Sequence, residues 1–541
     1  ADNGGEWDGV TGGSKSSTDA SVTRSAPQIY NATFVGAGPG ITGSDKGNNA
    51  FLLDDYFAAN VQNSVFHDFA EAFVEVKSDG EGGFSASNNT IGAFGDYDGA
   101  NNGSVLDAPV EFVVSNPFFS ATGTPINGHT NAGTDPGFSA YTRDGSGYLT
   151  SIDPRPATDS SPRTDDVSAG APAAAAYRGA FGDTNWLLGW TWADAQGLVA
   201  DAFVAEPLVP ATDVDVIASQ TAFDAFYGVN VLTGSTTWTS DKIYILTDRI
   251  YVKEDQVLTI EPGTKVYGTF DDNGTAGNFS DDKVGAVIVA RGGQLVADGT
   301  LEAPIVFDAI QSLEAVRGED HPWDVDAVAG PAPTRETGGL WGGLIMLGSA
   351  YIAHTDSNGV NIGNNIIEGF LPATAVDNDG DGRDDILEYG FDETFARDDA
   401  DNSGVVRYVS IRHGGYEVGD GNEINGLTLG GVGTGTVIEH VEVVSNQDDG
   451  IEFFGGTVNT SYISMMFNQD DSFDIDEGHT GTHQFWFAVQ NPNSADNGGE
   501  WDGVTGGSKS STDASVTRSA PQIYNATFVG AGPGITGSDK G

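Results

Sequence analysis

From about Ser240 the chain alternates short apolar runs with polar turns at a spacing too tight for helices. Ile243-Tyr-Ile-Leu, Ile250-Tyr-Val, Val257-Leu-Thr-Ile260 and Lys265-Val-Tyr267 are β-branched or aromatic runs, the composition of strands. Ala286-Val-Ile-Val289, Gln294-Leu-Val296 and Pro304-Ile-Val-Phe307 continue the series. No segment keeps an amphipathic helical period beyond two or three turns. Strands this close together cannot be parallel neighbours through helical crossovers, but they can if the chain winds as a solenoid.

The length of one turn is legible further on. Val443-Val-Ser-Asn-Gln-Asp-Asp449 returns as Met465-Met-Phe-Asn-Gln-Asp-Asp471, an offset of 22 residues. A period in the low twenties suits one coil of a three-faced, right-handed parallel β-helix, with equivalent residues stacked about 4.8 Å apart. Asn446 and Asn468 then lie one above the other at a corner and begin an asparagine ladder. The fold class expected is all-β, a solenoid.

A longer identity frames the chain. Residues 1–47 recur without change as residues 495–541, at an offset of 494. Ordinary repeats drift, because packing holds only their core positions. The identity marks a periodic object: a tandem array, a filament traced across a subunit boundary, or a local duplication capping both ends.

Charge narrows the partners. The chain holds 78 acidic and 23 basic residues, a net of −55. Such a surface repels nucleic acid and anionic membranes and attracts divalent cations; adaptation to high salt is the bland alternative. The 76 glycines have no collagen period and mark tight turns. Cysteine is absent, which suits a bacterial surface protein. No apolar run is long enough for a transmembrane segment, and Ala1 begins the chain without a signal peptide, as in a processed or excerpted product.

Several motifs resemble the large secreted or lipid-anchored β-helix proteins of Bacteroidetes and related Gram-negative bacteria. They are Thr237-Trp-Thr-Ser240, Leu258-Thr-Ile-Glu-Pro-Gly-Thr264, Leu340-Trp-Gly-Gly-Leu-Ile345 and Tyr408-Val-Ser-Ile-Arg-His-Gly-Gly415. Asn422-Glu-Ile-Asn-Gly-Leu-Thr-Leu-Gly-Gly431, Asn446–Gly456 and Asp470–Gly478 belong with them. In that family the block around Tyr177–Thr191 lies near the C-terminus and the Thr237 block near the N-terminus. Their order is inverted here, as a permuted unit would have it, so the resemblance implies that residues 48–201 are the C-terminal part of one unit, 202–219 a junction and 220–541 the main β-helix. The resemblance implies fold and an extracellular or cell-surface location, and says little of activity.

The sharpest chemical motif is Asp377-Asn-Asp-Gly-Asp-Gly-Arg-Asp-Asp-Ile-Leu-Glu388. Asp377, Asp379 and Asp381 fall at positions 1, 3 and 5 of a calcium loop, and Gly382 at the sharp turn. Arg383 offers its carbonyl at position 7, Asp385 stands at 9 and Glu388 at 12. A second set comprises Asp448, Asp449 and Glu452, then Asp470, Asp471, Asp474 and Asp476, which stack at the 22-residue period. Like charges so placed are costly unless a cation or hydrogen bonds intervene; the options are a second calcium site, a catalytic pair or a solvated turn. Asp496, Glu500 and Asp502, with Asp2, Glu6 and Asp8 of the other copy, are a further candidate.

Together these features predict an extracellular structural protein, calcium-stabilised, whose 494-residue unit polymerises head-to-tail with copies of itself. A monomeric carbohydrate-binding or adhesive protein touching extracellular polysaccharide is one alternative. The other is a polygalacturonase-like enzyme, since Asn-Gln-Asp-Asp is similar to that family's acidic motif, with Asp448 and Asp449 or Asp470 and Asp471 as acid and base. That family's Gly-His-Gly turn and Arg-Ile-Lys clamp are missing, so the chain is expected not to be an enzyme.

Overall fold

The computed structural model describes residues 229–271, 282–317, 331–368, 386–418, 424–506 and 515–530. It also describes 138–144, 148–156, 171–199 (without 174 and 176) and short stretches within 6–8, 25–35, 51–91, 130–131 and 213–224. Every statement below concerns those residues.

The short apolar runs become strands because each lies in register on its equivalent in the next coil. Arg249–Val252, Ala286–Val289, Leu344–Leu347, Leu427–Gly430, Ile451–Phe454, Phe473–Asp476 and Glu500–Trp501 follow one another in a single parallel sheet. A second series runs through Gly404–Arg412, Val437–Val444, Asn459–Met466 and Thr482–Val489. These long strands bend in the middle at a left-handed residue: Tyr408, His440, Tyr462 and Phe485 have φ of 47°, 52°, 57° and 62°. The bend divides each long strand between two faces, giving three faces per coil. A non-glycine residue in that region costs about 1–2 kcal/mol. Ring stacking offsets it, with centroids 4.3, 4.3 and 4.6 Å apart along the four residues.

The 22-residue period is the observed coil. Val441 pairs with Ile463 and Val443 with Met465. The asparagine ladder is present: the Asn446 backbone N–H donates to Asn468 Oδ1 at 3.1 Å. Asn446 Nδ2 donates to the carbonyls of Ile424 and Asp449. Inside the coils Phe473 lies flat on Trp486, centroids 4.0 Å apart.

The two identical segments stack as consecutive rungs. Gln28–Tyr30 pairs with Gln522–Tyr524 and Thr33–Val35 with Thr527–Val529, each residue on its own copy. Tyr30 stacks on Tyr524 and Phe34 on Phe528, centroids 5.2 and 5.1 Å apart. Phe51–Asp54, Asn60–Gln62, Val65–His67 and Val74–Val76 then carry the pairing outward. Residues 213–216, within the expected junction, form a strand against 242–245; the rest of 202–219 lies outside the described residues.

Helix is scarce, as the pattern predicts, but a helix at Ile310–Arg317 follows one strand directly. A four-residue turn, Trp192–Ala195, belongs to a strap over the outer surface. Its N-terminal N–H groups, on Trp192 and Ala193, donate to the buried carboxylate of Glu442. Trp186 and Trp190 meet His440 edge-on, so these tryptophans pack on the outer aromatic stack.

The core holds two histidines in a satisfied chain. His479 Nδ1 bonds the Gly455 carbonyl, its Nε2 meets His483 Nε2 at 2.9 Å, and Thr460 Oγ1 meets His483 Nδ1. Burial pushes His479 down to about 4 and His483 well below its ordinary value. Both rings are therefore neutral in the folded protein, whereas the unfolded chain takes up protons near pH 6.5. Their contribution is complete above pH 6.5 and is lost as pH falls toward about 4, by up to about 1.4 kcal/mol per pH unit for each ring. Denaturation curves should show the wild type losing stability relative to a His479→Gln/His483→Gln variant between pH 6.5 and 4.5; parallel pH profiles would contradict this. Asn446→Ala, which strips two buried carbonyls of a donor, should cost about 1–3 kcal/mol in the same measurement. A loss within error would remove the ladder from the stabilising features.

Candidate metal centre

After the corner at Ser445 the chain turns through Asn446-Gln-Asp-Asp449 and enters Ile451–Phe454; one coil later it repeats the path into Phe473–Asp476. Ile451, Phe453, Phe473 and Ile475 are in the core, so the alternation of a strand turns Glu452 and Asp474 to the outer face. The register sets Glu452 on Asp474 and Asp474 on Glu500. At the turn, Asp449 Oδ1 accepts the Asp471 N–H at 2.9 Å, and Asp471 Oδ1 accepts the Asn497 N–H. Backbone hydrogen bonding thus pins each aspartate over the next.

The result is a ladder of crowded carboxylates. Three overlapping groups have oxygens within 4.8 Å of one another: Asp448, Asp449 and Asp470; Asp449, Glu452 and Asp474; and Asp470, Asp471 and Asp496. At about 4 Å two such charges repel by roughly 4 kcal/mol near a protein surface. Burial, then the neighbouring carboxylates, hold Asp449, Glu452, Asp471 and Asp474 well above the usual carboxylate range. Two buried oxygens, one in the middle group and one on a residue bonded to it, have no hydrogen-bond donor. One is Asp474 Oδ1; the other is Oδ1 of Asn425, whose Nδ2 donates to Glu452 Oε2. Asn425 is 1% exposed. An acceptor so enclosed lacks a positive partner. The donor set is carboxylate and amide oxygen, which suits a hard cation such as calcium and offers nothing to a thiophilic metal.

The structure brings together six of the seven ladder residues read from the sequence, with Asp496 added. Asp476 stands apart from the three groups and accepts the Glu477 N–H. Asn425 was missed: it comes from the preceding coil, and a neutral side chain 27 residues before Glu452 carries no charge signal. Of the calcium-loop residues, Asp377, Asp379, Asp381, Arg383 and Asp385 lie outside the described residues. Glu388 lies in a strand paired with Asn364–Ile366. It is buried, with Oε2 on Arg291 and Oε1 accepting from Asn364 Nδ2. His413 is a turn histidine, its Nδ1 2.8 Å from the Thr337 carbonyl.

Among the described residues no helix is long and apolar enough to cross a membrane. No curated protein and no solved structure matches the chain. A family model described as a pectate-lyase-like β-helix domain matches residues 230–320 and 327–538. This span covers the coils from Asn230 to Val529 and the whole acidic ladder, and the chain belongs to the pectate-lyase-like β-helix domain family.

Proposed function

We propose that the protein is an extracellular structural β-helix whose acidic ladder holds calcium and whose units join head-to-tail. The observation that carries the calcium reading is the group of Asp449, Glu452 and Asp474, with Asp474 Oδ1 and the Oδ1 of neighbouring Asn425 both buried without a hydrogen-bond partner. A divalent ion there neutralises the carboxylates and supplies the missing partner to Asp474 Oδ1 and Asn425 Oδ1. The loop at 377–388 is proposed as a second calcium site, for which Glu388 has to exchange Arg291 for the ion.

Self-association is supported by the paired copies. Residues 25–35 seat on 519–529 with identical side chains in register. The same segment of a second chain carries the same edges and side chains, so exchange between molecules replaces one set of contacts by an equal one. An open chain of such exchanges is a fibre. The enzymatic alternative rests on the family's fold. Asp449 and Asp471 are buried and each accepts a backbone N–H, which is the environment of ladder residues and a poor one for an acid–base pair working on a polymer. Asp449→Asn should leave any polygalacturonate-degrading activity of the preparation unchanged, and its disappearance would restore the enzyme.

The sign of the pH dependence follows from the raised carboxyl groups. Without a cation their stabilising contribution is present below the unfolded value near 4 and is lost as pH rises toward their folded values. Calcium binds the ionised form and reverses that loss. Added calcium should therefore raise the melting temperature more at pH 7.5 than at pH 5, with about 2.7 kcal/mol gained at a hundredfold excess over Kd. Asp449→Asn with Asp474→Asn should raise the melting temperature in chelator and shrink the calcium increment. Equal melting in calcium and chelator at both pH values would overturn the calcium reading. Negative-stain electron microscopy in calcium should show linear fibres, and discrete particles at all concentrations would remove the polymer while leaving the calcium claim standing.

A further inference from the structure

A groove of about 590 Å³ lies on the outer surface away from the acidic ladder, within the size range of small-ligand sites. Its floor is the outward side of Val437–Val444, Asn459–Met466 and Thr482–Val489, and one wall is Pro172 and Ala173 of the strap. That wall is fixed, because Gln484 Oε1 accepts the Ala173 N–H and its Nε2 donates to the Ala173 carbonyl. The other border is the corner made by Tyr462 and Phe485.

The groove's free groups define what it takes. Among the described residues, the hydroxyls of Ser461, Tyr462 and Thr482 and the amide nitrogen of Asn459 find no hydrogen-bond partner. Each hydroxyl both donates and accepts. His440 and Phe485 cover the two faces of the Tyr462 ring, so Tyr462 offers its edge and hydroxyl to the groove. Among the described residues no lysine or arginine lines it, and Glu439 is the one carboxylate. An anionic ligand finds no counter-charge here and meets an acidic protein; a cation finds too few carboxylates.

We infer that this groove binds an uncharged, hydroxyl-rich ligand, a neutral oligosaccharide. Paired donors and acceptors along successive rungs match a ligand that presents hydroxyls in both roles along its length. The site shares no residue with the acidic ladder and does not depend on calcium.

Isothermal titration with cellohexaose, xylohexaose, mannohexaose and hexagalacturonate, each in calcium and in chelator, tests the inference. At least one neutral hexasaccharide should bind equally in both conditions, and hexagalacturonate should bind at least tenfold more weakly. Asn459→Trp, at an exposed position that leaves the core untouched, should weaken the neutral sugar at least tenfold, as should Ser461→Trp. Asp449→Asn with Asp474→Asn should leave it unchanged. Absence of binding by all three neutral sugars at millimolar concentration would overturn the proposal. So would preference for the galacturonate, or affinity unmoved by both tryptophan variants.

Discussion

Parallel, in-register stacking governs this molecule, because it places each side chain about 4.8 Å from its equivalent in the next coil. Whatever occurs at a position is therefore multiplied along the axis. Apolar positions multiply into the continuous core, and asparagine at the corner multiplies into a hydrogen-bonded ladder. The Tyr408–His440–Tyr462–Phe485 stack steadies a row of left-handed corners that no single residue would favour. Applied to Asp and Glu, the same rule sets like charge on like charge. The acidic ladder is thus a direct product of the fold: stacked amides hydrogen-bond to one another, whereas stacked carboxylates repel.

The duplicated segment obeys this rule in its simplest form. Where the two copies lie on neighbouring rungs, each residue rests on its own counterpart, as Tyr30 on Tyr524 and Phe34 on Phe528 show. A surface that accepts a copy of itself does not distinguish its own chain from another. That equivalence links the sequence identity at the chain's two ends to the proposed fibre.

Much of the fold was legible because stacking leaves a trace in sequence. The period between Val443 and Met465, the short apolar runs from Ile243 to Phe307 and the position of the asparagine ladder all correspond to observed elements. So did the gathering of Asp448, Asp449, Glu452, Asp470, Asp471 and Asp474, since residues one coil apart must meet. Contacts made outside that period were not legible. Asn425 enters from a coil of different length, Arg291 reaches Glu388 across 97 residues, and the strap of residues 171–199 docks on Glu442 from far away in the chain. Nothing in local spacing announces such partners; they follow from insertions between coils. The groove beside Tyr462 was hidden for the same reason, because the strap supplies one of its walls.

The proposed function turns on a divalent cation in the acidic ladder. Crystals grown in calcium, with terbium substituted for it, would locate the ion directly by anomalous scattering. A peak is expected among the carboxylates of Asp449, Glu452 and Asp474, within coordination distance of Asn425. An ordered ladder with no peak there, in crystals that bind terbium elsewhere, would contradict it.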